Sequence, residues 1–498
     1  MPDPMLPLTF LNLLAEFRGV FTGPSFENYQ VLVSGFVHSL GRHGISDAIR
    51  AAGPAAHKHY SAYYRFFSRA TWSLDEFGIC LLALVIGTLH VVGVEVELVL
   101  DDTLTRGTGK KVALATMHAD PLRRQGKRPF MAYGHVFVVL SVHVRLPLLA
   151  PTGWALPFMF RVYEGSRRGG RADSPSDQGR AFSRRRQRKQ QRKRARLTDV
   201  TVIDGQLQKC APRLDDEPLP DDMRKTKLQL ATEMLLKVAA NFPNVQFRVL
   251  ADHLYSGKTV LHGVHSKTDN MHFTIRGRPN AALYELPPPY EGSGRPRVKG
   301  KQLPSPEKWA SQNPDAFEPV KVIIYGKPVE VMLASLVGMP YRSLPGQLVR
   351  YVIVKDRRGI YKTDYLFDTD IKTTAVQVVE GYARRWPLER SFQDAKQKLG
   401  MEQHQTQLPA SVRRCAPFSM LTYSLVVLWY LLDGHHLAKK MTAYHDPWYP
   451  KTARPSFTEM LACLRRASWT EAFLDPPLEG GTRQKFLAAY LARVVASG

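Results

Sequence analysis

The sequence predicts an α/β protein, with a β-rich middle held between two helical ends. Three observations predict it. Apolar residues recur at helical spacing before about residue 92 and again after about residue 409. From Val94 the chain turns to short runs rich in Val and aromatic residues. Further on, FRVLADHLYSGKTVL reads as a strand ending at Asp252 followed by a helix.

In order, residues 1–93 form a helical N-terminal region. Phe26 to Ala52 is expected in short pieces, broken by Gly35, Gly41 and Gly44. HKHYSAYYRFFSRATWSLDEF follows, mixing His, Lys and Arg with Tyr and Phe, and two readings stand equal for it. One is a DNA-binding module with cations for phosphates; the other is an ordinary bundle, since Tyr60, Tyr63 and Phe67 share one helical face. Residues 94–270 hold the first part of the core. There VEVELVLDDT reads as a strand ending in Asp101 and Asp102, with KKVALATM, FMAYGHVFVVLSVHVR and FMFRVYEG as further strand candidates. After the short strand TVIDG, Met223 to Ala240 reads as an amphipathic helix. Residues 271–365 hold short β candidates among Pro- and Gly-rich loops such as LPPPYEGSGRPRVKGKQ, as an inserted β-rich domain would. A charged helix occupies 366–404, and 405–498 is helical again, a candidate for end binding or dimerisation.

Charge narrows the partner. The 498 residues carry 69 Lys and Arg against 44 Asp and Glu, a formal net charge of +25. That excess calls for a polyanion, nucleic acid first. Nearly half of it sits in residues 161–196, where twelve Arg and two Lys face three acids. Low apolar content keeps this arm from burying enough surface to fold alone. Arg184, Arg185, Arg186, Arg188, Lys189 and Arg192 lie in its densest part and are candidate phosphate contacts.

Other classes fall away. Cys80, Cys210, Cys415 and Cys463 are scattered without a C-x-x-C pair, which argues against a disulfide framework or structural zinc. There is no H-E-x-x-H, P-loop or G-x-S-x-G. The start lacks a basic n-region, and the apolar runs near Ile79 to Val92 and Phe418 to Leu432 read as interrupted or too short to span a bilayer. A soluble, cytoplasmic protein is expected.

The most informative stretch is YARRWPLERSFQDAK, Tyr382 to Lys396. At about 100° per residue, Tyr382, Arg385, Glu389 and Lys396 fall on one narrow stripe of a single helix. Pro387 lies within it and is expected to kink it. A carboxylate, two cations and a phenol on one side suit a metal and phosphates. An isolated aspartate at a strand end is ordinarily a turn or cap residue, so Asp101, Asp102 and Asp252 argue only in combination with Glu389. Together they offer hard oxygen ligands for two Mg²⁺ or Mn²⁺ ions.

These residues carry a resemblance. The chain resembles the DDE transposases of bacterial insertion sequences, in the IS4-like superfamily and its IS701-type branch. Tyr382, Arg385, Glu389 and Lys396 match the family's Tyr-(2)-Arg-(3)-Glu-(6)-Lys signature. VLADHLYSG places the second aspartate on Asp252, and LVLDDTLTRG places the first on Asp101 or Asp102, with Asp101 favoured. The resemblance, over roughly residues 94–404, implies an RNase H-like core with an insertion, for which the 136 residues between Asp252 and Glu389 leave room. It implies cleavage at transposon ends, transfer of the 3′ ends to target DNA, and a dimer across two ends. In that reading Arg385 and Lys396 clamp substrate phosphates rather than pair with acids, and Tyr382 positions a nucleotide. An RNase H-like nuclease or resolvase, and a DNA-binding descendant that no longer cuts, are the alternatives.

Overall fold

The structure is a computed structural model that describes residues 5–89, 93–107, 112–125, 128–146, 150–165, 224–290, 292, 295–440 and 455–473. The arginine-rich candidates from Arg184 to Arg192, and the TVIDG strand, lie outside the described residues.

A ten-stranded mixed sheet organises the chain. β1 (Val96–Arg106) pairs antiparallel with β3 (Arg128–Leu146), which also pairs with β2 (Thr116–Gln125) and β4 (Ala150–Tyr163). On its other side β1 runs parallel to β5 (Phe247–Ala251), and β5 runs parallel to β6 (Met271–Arg276). β6 then pairs antiparallel with β10 (Asp364–Asp368), and β9 (Val349–Asp356), β8 (Lys327–Gly338) and β7 (Glu318–Ile324) follow outward. The strands are Val- and Ile-rich, and β1 and β5 are buried through Val96–Leu100 and Phe247–Ala251 because helices cover both faces.

Three expectations change here. The inserted segment was drawn from residue 271, but Met271 begins a strand of the central sheet beside β5. The strands beyond it continue the same sheet, with a small core of their own from Val322, Val331, Leu333 and Val352. The strand expected in KKVALATM starts only at Thr116 and runs on to Gln125.

The N-terminal helices are α1 (Leu8–Ala15), α2 (Gly23–His38), α3 (Ile45–Ala52), α4 (Tyr60–Ser68) and α5 (Leu74–Leu89). Gly35 does not break α2, which runs through it. A Cβ there would stand 2.1 Å from the Ala48 carbonyl oxygen, so the missing side chain lets α2 and α3 meet backbone to backbone. Tyr63, Phe66 and Phe67 of α4 are fully buried, while Tyr60 is exposed. The aromatic run is therefore largely core.

What the N-terminal helices pack on is α11 (Pro409–Trp429). The helices before it are α6 (Lys227–Asn241), α7 (Lys258–His265), α8 (Pro306–Gln312), α9 (Ala375–Ala383) and α10 (Trp386–Lys398). Phe418 of α11 meets Tyr29, Phe36, Phe66 and Phe67 edge-on. The helical stretch Pro409–Ala438 is long and apolar enough to cross a membrane, contrary to the sequence expectation, and 94% of its apolar part is buried inside this fold. Its Ser419, Thr422 and Ser424 hydroxyls bond backbone carbonyls, which removes the cost of burying them. α12 (His435–Lys440) and α13 (Phe457–Phe473) complete this side.

Candidate active site

Pro387 decides the local geometry. It has no N–H to donate to the carbonyl four residues back, at Ala383, and α9 ends there. The chain turns through Arg384 and Arg385, and α10 begins at Trp386 with Pro387 in its first turn. The expected single helix is therefore two, and the stripe is folded rather than straight. Tyr382 lies in the last turn of α9, Arg385 caps α10, and Glu389 lies in the first turn of α10.

That fold carries the side chains to the sheet. Arg384 and Arg385 both reach β1, at positions four residues apart and so on one face, roughly 13 Å from each other at the usual strand rise. Arg384 binds Glu97, which also accepts from His143 at 2.8 Å. Arg385 binds Asp101 through Nη1 and Glu389 through Nη2, the latter at 2.6 Å. One guanidinium thus joins a β1 carboxylate to the α10 carboxylate.

Asp252 arrives from the next strand. It precedes a short turn at His253–Tyr255, in the position a capping aspartate would take, yet its side chain makes no cap hydrogen bond. Instead Asp252 Oδ1 accepts a long hydrogen bond from the Tyr382 hydroxyl at 3.4 Å. The parallel pairing of β1 with β5 brings Asp101 and Asp252 to the same edge.

Asp101 and Asp102 separate cleanly. Neighbouring residues on a strand project to opposite faces. Asp102 Oδ2 accepts from Lys227 Nζ of α6 at 2.7 Å, and Oδ1 accepts from the Tyr255 hydroxyl at 3.3 Å. It is Asp101 that turns toward Arg385 and Glu389.

Burial pushes the Asp101 carboxyl up to about 6, opposed by Arg385 and reinforced by the charges of Asp102 and Asp252. Burial also raises the Tyr382 phenol to about 12, so it stays a hydrogen-bond donor. The Arg385 guanidinium loses by burial but gains more from Asp101 and the acids around it, which hold it charged.

Lys396 sits apart, two turns further along α10. Its Nζ donates to the Leu104 carbonyl of β1 at 2.6 Å and lies 3.5 Å from Glu402. Arg385 and Lys396 were expected as phosphate clamps without acidic partners; in this structure both are ion-paired.

The carboxylates suit a hard cation. Asp101 and Glu389 already share one cationic group, and burial makes unbalanced charge at Asp101 costly. Among the described residues no three acidic, imidazole or thiol groups stand ready to enclose one ion. Mg²⁺ needs no such cage, since one or two carboxylates with water and phosphate oxygens suffice.

Lys227, Tyr255, Arg384 and Glu97 escaped the sequence reading. Tyr255 stands three residues past Asp252 in the quoted DHLYSG stretch. Lys227 and Glu97 had no signal, because their partners lie 125 and 287 residues away in the chain.

Comparisons with known proteins bear on this arrangement. Among solved structures, a piggyBac transposase synaptic complex with hairpin DNA aligns at 10% identity and a TM-score of 0.37, covering 97% of this chain and 82% of that one. A likeness at that level carries no argument. No curated protein sequence matches. A family model described as DDE superfamily endonuclease matches residues 16–322, a span that holds Asp101, Asp102 and Asp252 and ends before Glu389. With more than half of its length matched, the chain belongs to the DDE superfamily endonucleases.

Proposed function

We propose that this endonuclease is a DNA transposase of the IS4-like superfamily, IS701-type branch, which cuts transposon ends and joins their 3′ ends to target DNA. The carrying observation is the bridge from Arg385 to Asp101 and Glu389 beside the Tyr382–Asp252 hydrogen bond. It gathers Tyr382, Arg385 and Glu389 of the signature with Asp101 of β1 and Asp252 just after β5, while Lys396 lies two turns away. The order β4-β3-β1-β5-β6, antiparallel and then parallel, supports an RNase H-like core with β7–β10 as its insertion.

Asp101, Asp252 and Glu389 would hold two Mg²⁺ or Mn²⁺ ions, whose chemistry is to activate the attacking oxygen and stabilise the leaving one. Arg385, released from Asp101 and Glu389, would bind a phosphate oxygen of the substrate. Tyr382, kept protonated, orients Asp252. Asp102 acts outside the ligand set, anchoring Lys227 and Tyr255. Double-stranded DNA is the partner, and a homodimer would synapse two ends.

The test is cleavage of a duplex carrying the terminal repeats that flank the gene, with Mg²⁺ or Mn²⁺, followed by a strand-transfer assay. Glu389→Gln and Asp252→Asn should each abolish cutting. Full activity in either variant would sink the proposal. Cutting without joining would favour the nuclease reading, and binding without cutting a domesticated one.

A further inference from the structure

The loop between β6 and β7 carries charge that the site above does not use. Arg-Pro-Arg-Val-Lys-Gly-Lys, residues 295–301, holds four cations in seven residues with no acid. Arg295, Arg297, Lys299 and Lys301 are exposed, and among the described residues none of them has an acidic partner. Several arginines elsewhere in the fold are ion-paired. Arg106 pairs with Asp120, Arg161 with Asp75, Arg248 with Asp368 and Arg413 with Glu164. Glu285, opposite Lys301 on this loop, makes no ion pair with them.

The loop is built rather than merely charged. Glu285 N–H donates to the Lys301 carbonyl at 2.9 Å, and Gly300 N–H donates to the Glu285 carbonyl at 3.0 Å. Leu303 bonds Leu283, and Tyr284 exchanges backbone bonds with Met339. At Gly300 a Cβ would come within 2.4 Å of the Leu286 carbonyl oxygen, so the two limbs close only because glycine stands there. On this frame Lys299 Nζ sits 4.2 Å from the Tyr284 ring centre and 5.4 Å from that of Tyr341. The two rings meet edge-on, and this aromatic notch holds the ammonium outward in one place.

The loop also leads away from the catalytic edge. It leaves β6 at Arg276, whose electrostatic partners include Tyr382 and Asp252, and Arg278 donates to His253, the residue after Asp252. Four like charges on a closed frame repel each other, and a polyanion relieves that repulsion.

We propose that Arg278, Arg295, Arg297, Lys299 and Lys301 form a phosphate track, which grips the backbone of the substrate duplex as it approaches the site past Asp252. The proposal rests on the transposase reading for its substrate, DNA. The track reads no sequence, because cations on phosphates position a duplex without distinguishing bases.

The experiment is equilibrium binding of the full chain to a duplex of arbitrary sequence between about 50 and 200 mM salt. Two double variants are compared with the unmodified protein, Arg295→Gln with Arg297→Gln, and Lys299→Gln with Lys301→Gln. Each should lower the slope of log affinity against log salt by about 2, at roughly 0.9 per lost phosphate contact. Tyr284→Phe, which keeps the aromatic face, should retain the full slope, and Tyr284→Leu should lose about one unit of it. Unchanged slopes in both double variants, with strong binding by the unmodified chain, overturn the track and leave the transposase reading intact. A chain that binds no duplex at all overturns both. A chain that binds through the track but never cuts overturns only the catalytic reading.

Discussion

Arg384 Nε donates to both carboxylate oxygens of Glu97, at 2.8 and 2.9 Å, on the strand that carries Asp101 four residues further along. The next residue, Arg385, takes Asp101. Two consecutive arginines at the start of α10 thus hold that helix against β1 at two points, and Glu389 follows one turn later.

Removing Arg384 should loosen this attachment. Glu97 is 9% exposed, and without Arg384 it keeps His143 and, at 3.8 Å, Arg145. Arg384→Met is therefore expected to cost about 3 kcal/mol, the lower end for breaking a buried pair. Denaturant unfolding measures that cost. Cleavage should fall as well, because Glu389 rides on the same helix.

The two adjacent aspartates should behave differently. Asp102→Asn disturbs Lys227 and Tyr255, and its effect on cleavage should stay within about 10-fold to 100-fold, the range for groups behind a ligand. Asp101→Asn should cost far more. Lys227→Met should resemble Asp102→Asn, and the double variant should be no worse than either, since both remove one pair. Cleavage rates for the four variants check this. Equal losses for Asp101→Asn and Asp102→Asn would contradict it.

Gly35→Ala should destabilise the protein by about 1–3 kcal/mol, the usual cost of an overpacked contact. The added methyl group meets the Ala48 backbone, which cannot rotate away as a side chain would. A thermal melt should show a lower Tm, while Gly23→Ala, where a Cβ meets nothing within 4 Å, should shift it little.

Acid should weaken the seam between α5, β4 and α6. Asp75 binds Arg161 and Lys237, and Glu233 binds Arg161 and Lys225. Burial alone raises both carboxyls, but their cationic partners outweigh it and hold both below the usual carboxylate range. A depressed carboxyl adds stability that is complete above its unfolded-state value, near 4, and disappears as pH falls toward the folded-state value. The seam's share of Tm, read as the difference between the unmodified protein and Asp75→Asn, should therefore be flat from about pH 7 to 5 and shrink below about pH 4. Asp75→Asn should lower Tm at neutral pH.

Much of the fold was legible in the chain. Strand runs such as MHFTIR and LVRYVIVKD, and the helix before FRVLADH, show the periodicities that hydrogen bonding and burial impose on neighbours. The error at Gly35 has a physical source. Glycine is costly in an isolated helix, but the cost is recovered where two backbones must touch, and the touching partner is thirteen residues away. The error over the apolar helix is similar, since whether Phe418 and its neighbours face lipid or protein depends on what packs around them.

The sequence by itself determined the residue types and spacing of the signature, the strand that bears Asp101 and Asp102, though it runs on past them to Arg106, and a disturbance at Pro387, though the single kinked helix expected there is two helices. Each follows from local covalent geometry or from periodicity. Only the tertiary structure decided that Asp101 and not Asp102 faces Arg385, that Asp252 is spared from capping, and that Arg385 and Lys396 stand paired. The contacts of Asp101, of Asp252 and of Lys396 with Leu104 join elements more than a hundred residues apart in the chain, which meet only once the sheet has closed.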